Sequence, residues 1–216
     1  MPTQIEITPQ GIINFWFPDG PNPELKQHMD FWMWRMRGGA NNEILEKYVE
    51  VTERAAEGDF DNWASTPIGR LALIILLDQF PRTVWAGTTS AYSQDRKALA
   101  LCLEGLDNGH FDALENVWFK SVFKLPMEHC ECPEHLANLD RVIAIADQLL
   151  EEAPENLKGA YQFAAGQPRK HRAVISQFGR HSHRNKVLGR ASTPEELDYI
   201  AKGVFPHEVD LDIAQK

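Results

Sequence analysis

Cysteine is scarce in this chain: Cys102, Cys130 and Cys132 are the three among 216 residues. An odd, sparse set in a chain of this length excludes a disulfide framework and fits a reducing compartment, so the cytoplasm is the expected location. Long apolar runs are also missing. The longest, Leu71 to Leu77, falls far short of the ~20 residues of a membrane-spanning helix. The N-terminal stretch carries Glu6 and no basic cluster, unlike a secretory signal. No membrane role is expected. A basic surplus is absent as well, with 22 Lys and Arg against 31 Asp and Glu and a net charge of −9, which excludes general nucleic-acid binding. Glycine-rich phosphate loops, nucleophile elbows and His-Glu-x-x-His zinc signatures do not occur, so the enzyme classes that short motifs announce are set aside.

What is present is helical. Alternation of the β-strand kind is not evident, while helix punctuation recurs. Thr8-Pro9 and Thr66-Pro67 each place a capping hydroxyl before a proline at the first helical position. The first opens a short helix through Ile12, Ile13, Phe15 and Trp16. The second opens the most apolar segment, which runs to Pro81 and belongs at the centre of the fold. An aromatic helix from about Pro23 to Arg37 ends at Gly38-Gly39, and Ile44, Leu45, Tyr48, Val51 and Thr52 form one stripe. Further helices are expected from Ser90 or Ser93, from Asp112, over Glu134–Glu152, Glu155–Ala165, Arg169–Phe178 and Pro194–Lys202. The tail after Pro206 reads as loosely held. The expected fold is all-α, an array of antiparallel helix pairs in a single domain with an ordered core over about 8–205.

Three clusters carry chemistry. Leu125 to Cys132 packs Glu128, His129 and Glu131 beside two thiols, with His135 just beyond. One helical turn after Pro126 puts Glu128 and Glu131 on one face. A single Cys-x-Cys lacks the second pair of a zinc ribbon, so no metal is assigned and no cofactor is indicated. The second cluster lies in a stretch, Asn156 to Pro194, that has no Asp or Glu but eight Lys and Arg. It contains His171, Arg172, Arg180, His181, His183, Arg184, Asn185 and Arg190. Gly179 suits a left-handed C-cap, and Ser182 is placed to cap a following turn. This stretch either docks on the acidic remainder or forms an anion site, because arginine forks match carboxylates and phosphates. The third cluster is Asp78-Gln79-Phe80-Pro81-Arg82, with an acid at the negative end of an apolar helix and Arg82 as the natural partner.

These clusters, with Phe15-Trp16-Phe17, Asn62-Trp63, Thr66-Pro67, Leu71 to Arg82, Leu125 to Glu131, His171-Arg172 and Phe178-Gly179-Arg180 through Arg190, stand in one order over nearly the whole chain. In this they resemble the bacterial domain-of-unknown-function family 924 (DUF924). The resemblance implies an all-helical fold similar to tetratricopeptide repeats, and it implies no activity. The family pattern more often has Phe, Ser and Asn where this chain has Met127, Cys130 and Thr83.

The functional expectation is a polar cleft. Glu128, His129, Glu131 and His183 are the candidate catalytic groups. His171, Arg172, Arg180, Arg184, Asn185, Arg190, Asp78 and Arg82 are the candidate ligand-binding groups. The first reading is a binding protein for a small anionic molecule or an acidic peptide end. The second is an enzyme, hydrolase or lyase, using general acid–base or metal-assisted chemistry. The third is a scaffold that docks a protein partner through Trp32, Trp34 or Trp85.

Overall fold

The structure is a computed structural model that describes residues 7–203 and 205–206. Among these residues the secondary structure is helical, with no strand. The tail after Pro206 lies outside the described residues. The described residues form two compact units, one of 7–86 with 90–126, the other of 87–89 with 127–203 and 205–206.

In the first unit, α1 (Pro9–Trp16) and α5 (Pro67–Ile74) start alike. The Thr8 and Thr66 hydroxyls accept the N–H of Gly11 and of Gly69, each at 3.1 Å, and a proline follows. Gly69 is obligatory, because a Cβ there would stand 2.2 Å from the Trp63 carbonyl oxygen. Leu71 to Leu77 are at most 1% exposed. Over Ile75–Gln79 the helix widens into a π-helical turn, in which the Phe80 N–H reaches the Ile75 carbonyl, and α6 (Pro81–Val84) follows. A widened turn suits a proline here, since its ring crowds the carbonyl four residues back and it has no N–H to give.

The aromatic helix α2 spans Leu25–Met36. The apolar stripe expected as one helix is broken at Tyr48 into α3 (Asn41–Lys47) and α4 (Val49–Glu57). Ile44, Tyr48, Val51 and Thr52 are buried as expected, but Leu45 is 50% exposed and lies off the stripe. Asn41 is the first residue of α3, and Ala40 stands at its N-cap. Next come α7 (Asp95–Asp107) and α8 (Val117–Phe123), the latter starting later than Asp112. A Cβ on Gly105 of α7 would be 2.4 Å from the Phe123 ring, so the smallest side chain permits this crossing.

The short α9 (Leu125–His129) leads into the second unit, in which α10 (His135–Glu152) and α11 (Lys158–Phe178) form an antiparallel pair. Their orientation follows from three cross-links. Lys158 reaches the carbonyls of Leu150 and Glu151, Arg169 pairs with Asp147, and Arg172 pairs with Asp140. Two helices were expected where α11 is continuous through Pro168. α11 packs along α10 with buried side chains on both sides of the proline, Tyr161 and Ala165 before it and Val174 and Ile175 after it, and Arg169 itself hydrogen-bonds the Ala165 carbonyl at 2.7 Å, so tertiary contacts override the local break. Gly179, at φ 70°, ends α11 in the left-handed conformation. The last helix, α12 (Pro194–Lys202), opens with a reciprocal capping box between Thr193 and Glu196.

Candidate functional site

The second unit gathers most of the sequence-predicted residues around the end of α9. A helix end leaves carbonyls without partners, and here side chains supply them. The Glu128 carbonyl lies 3.0 Å from Nε2 of His135 and 3.1 Å from Nε2 of His181, while the His129 carbonyl accepts from Nη1 of Arg184 at 2.9 Å. A carbonyl only accepts, so both imidazoles carry their hydrogen on Nε2. The helix stops at His129, and Glu131 therefore does not share a helical face with Glu128. Instead Glu131 takes the His181 backbone N–H at 2.7 Å and a two-pronged pair with Arg190. Arg190 also donates to Asn185 Oδ1 and to the His181 carbonyl. Burial works to raise the Glu131 carboxyl, but Arg190, the His181 N–H and the Arg184 charge outweigh it and hold it below its ordinary range.

His181 sits at the centre of a row of imidazoles. Its ring centroid is 5.3 Å from that of His135, 5.7 Å from His171 and 5.6 Å from His183. His181 has the extended backbone, ψ 95°, that lets side chains two apart share a side. His135, His171 and His181 are buried and His183 is half-buried. Burial pushes both His135 and His181 below the ordinary imidazole value, and the positive charge of Arg184 adds to this.

A second knot adjoins along the chain. Arg180 grips Glu196 with Nε and Nη2, both at 2.7 Å, and Nη2 also donates to the Ala191 carbonyl. The Ser182 hydroxyl donates to Glu196 at 3.0 Å, so Ser182 does not cap the turn that begins with it. Hydrogen bonds from Arg180, against burial, and then from Thr193 and Ser182 hold the Glu196 carboxyl far below its ordinary range. Glu196 was not among the expected site residues, although Thr193-x-x-Glu196 has the spacing of a capping box. Beside this knot lies a groove of 450 Å³ lined by Gln177, Phe178, Arg180, Thr193, Glu195 and Glu196. Of the Arg180 nitrogens, Nη1 has no hydrogen-bond partner among the described residues.

Other expected site residues lie elsewhere. Arg172 pairs with Asp140 on the outside of the α10–α11 hairpin, where both side chains are largely exposed. Asp78 and Arg82 belong to the first unit. There Arg82 bridges Asp78 and Asp95, at 3.2 and 3.0 Å, under the Tyr92 ring, and Gln79 donates to Asp78. Asp95 has no local signal linking it to Asp78. The first unit also holds an unanticipated buried trio, in which Asp19 faces His28 Nδ1 at 3.2 Å and Arg35 Nη1 at 2.5 Å. Burial alone would raise Asp19, but His28 and Arg35 bring it below its ordinary range. With His28 at 0% exposure, the trio has no access for a substrate. Cys130 is buried, Cys132 accepts weakly from Asn138, and no group of three His, Cys, Asp or Glu among the described residues is arranged to hold a metal.

Comparison with known proteins gives two matches. The profile of a family described as "Bacterial protein of unknown function (DUF924)" matches residues 12–204. The solved structure of a protein of unknown function from Agrobacterium tumefaciens is similar, with 29% identity and a TM-score of 0.68 over 90% of this chain and 97% of that one. No curated protein matches.

Proposed function

The chain belongs to the DUF924 family of bacterial proteins, and from that premise we propose that it is a binding protein that takes a small molecule or peptide end through a carboxylate held by Arg180. The supporting observation is the state of that guanidinium. Glu196 and the Ala191 carbonyl orient it through Nε and Nη2, and Nη1 keeps its donors for a guest beside the groove. The groove supplies the Phe178 ring for apolar contact and the Gln177 amide for a polar one. Its electrostatics narrow the guest. Arg180 is already balanced by Glu196, and Glu195 adds a negative charge, so a polyanion is disfavoured and a carboxylate accompanied by an ammonium group is favoured. The antiparallel α10–α11 pair fits a tetratricopeptide-like hairpin scaffold, whose usual work is binding.

The test is titration of the full chain, followed by amide NMR, with phenylalanine, its methyl ester and its N-acetyl derivative. Millimolar phenylalanine is expected to shift the Gln177–Arg180 resonances, the ester to leave them in place, and Arg180→Gln to remove the response while the first unit's resonances stay unchanged. No shift with any probe, or an equal shift in Arg180→Gln, rejects the proposal.

General-base chemistry has less support. Both Glu131 oxygens are engaged and its lowered pKa makes it a weak base, while Glu128 is 2% exposed. A docking scaffold is a second reading with its own observation. Glu128 and Arg184 are internal, and on α2 Leu25, Met29, Trp32, Met33 and Met36 are all half-exposed along one flank. Oxidative footprinting distinguishes it, since methionines protected in cell extract relative to buffer favour docking and equal oxidation excludes it.

A further inference from the structure

The end of α9 and the Ser182–Arg190 turn are held together by Arg184 and the Glu131–Arg190 pair, whose charges are fixed near neutrality, and by imidazoles, whose charge is conditional. His135 and His181, from α10 and the turn, both donate Nε2–H to the Glu128 carbonyl, so a second proton on either ring must go to Nδ1. On His135 that atom is buried and has no partner among the described residues, so a charged ring there would lack an acceptor. Around His181 the neighbours are His135 from α10, His171 from α11, and His183 and Arg184 from its own turn, all of which repel a positive charge. His129, at the end of α9, opposes charging of His135 in the same way. Of the nearby acids, Glu131 is committed to Arg190 and the His181 backbone, and Glu128 is buried.

We propose that this imidazole row is an acid-sensitive latch: charging it releases the Ser182–Arg190 turn from the end of α9, while the packing of α5 in the first unit is retained. The latch rests on the geometry of the row and not on the ligand reading, although Arg180 and its groove stand next to the same turn. The direction of the effect is fixed by which state binds the proton. Free imidazoles protonate near 6.5, whereas burial makes the folded His135 and His181 rings weaker bases. The stability they contribute is therefore complete above about pH 6.5 and is lost as pH falls through the folded values.

Hydrogen exchange of the full chain at pH 7.5 and 5.5, corrected for the intrinsic rate, reads the latch directly. Each linked proton reduces protection by up to about tenfold per pH unit below 6.5. Residues 180–190 are therefore expected to lose about tenfold or more while 71–77 change by less than about twofold. His171→Gln removes one of the groups that oppose a charge on His181 and is expected to move the loss to lower pH. Should that variant not fold, imidazole NMR of the unaltered protein serves instead, with His181 becoming charged in step with the exchange. Unchanged protection of 180–190 at pH 5.5, loss in step with 71–77, or a charged His181 in a turn that is still protected overturns the proposal.

Discussion

The two units bury polar groups in different company. In the first, Asp19, Arg35, Asp78 and Asp95 are buried as carboxylate–guanidinium partners, with His28 beside Asp19, and the helix from Leu71 to Leu77 is apolar and inaccessible. In the second, His135, His171, His181, Ser182, Arg184 and Asn185 are buried among one another, and the centre is a row of imidazoles. Carboxylates and guanidinium groups keep their charge from neutral pH down to about 4, whereas imidazoles change theirs near 6.5. Similar burial therefore leaves the Leu71–Leu77 helix and the Asp78–Arg82–Asp95 cluster indifferent to mild acid, whereas the centre of the second unit is conditional.

The largest expected effect tests the apolar side of that contrast. Leu76→Ala removes a wholly buried side chain from the packed helix and is expected to cost about 2–5 kcal/mol. The loss should be equal at pH 7.5 and 6 in denaturant unfolding. A cost that varies between these pH values would break the contrast. On the polar side, Glu131→Gln keeps the shape but leaves Arg190 and the His181 N–H with a poorer acceptor, at about 1–3 kcal/mol. Its effect on hydrogen exchange should be confined to residues near 180–190. Because the Glu131 carboxyl is held low, the stability it gives is present above its ordinary value of 4.5 and lost as pH falls below it. The variant should therefore lack that part of the acid limb, and an unchanged limb would show that Glu131 contributes nothing through its charge. The smallest effect is at Arg172. Its pair with Asp140 is solvent-exposed, so Arg172→Ala should leave the melting temperature and the phenylalanine titration within error. Any loss of binding would return Arg172 to the site.

Which features were legible in the sequence follows the range of the forces involved. Thr8-Pro9, Thr66-Pro67 and Gly179 act within one turn of backbone, and each does in the structure what its neighbours imply. Pro168 and Leu45 misled because their outcome depends on α10 clamping α11 and on the break at Tyr48. The gathering of Glu131, His171, His181, Arg184, Asn185 and Arg190 in one unit agrees with the attraction expected between the acidic motif and the acid-free segment. Their mutual pairing was not legible. Charge composition says that opposite groups will meet, but which nitrogen is left over among the described residues, as Nη1 of Arg180 is, depends on the positions of Glu196 and the Ala191 carbonyl. The trio of Asp19, His28 and Arg35 left no trace in the sequence, because nothing local marks residues so far apart as partners.

From the sequence alone come the helical class, the apolar helix that is buried, the caps and the two oppositely charged segments, since these rest on periodicity, capping chemistry and composition that a short window contains. The tertiary structure alone decides that α9 ends on two imidazoles and an arginine, that Glu131 is a partner of Arg190 and hence a weak base, and that Arg180 rather than Arg172 borders a groove. Each of those depends on where a hydrogen-bond donor stands to within a few tenths of an ångström, and that distance is set by packing between segments remote in the chain.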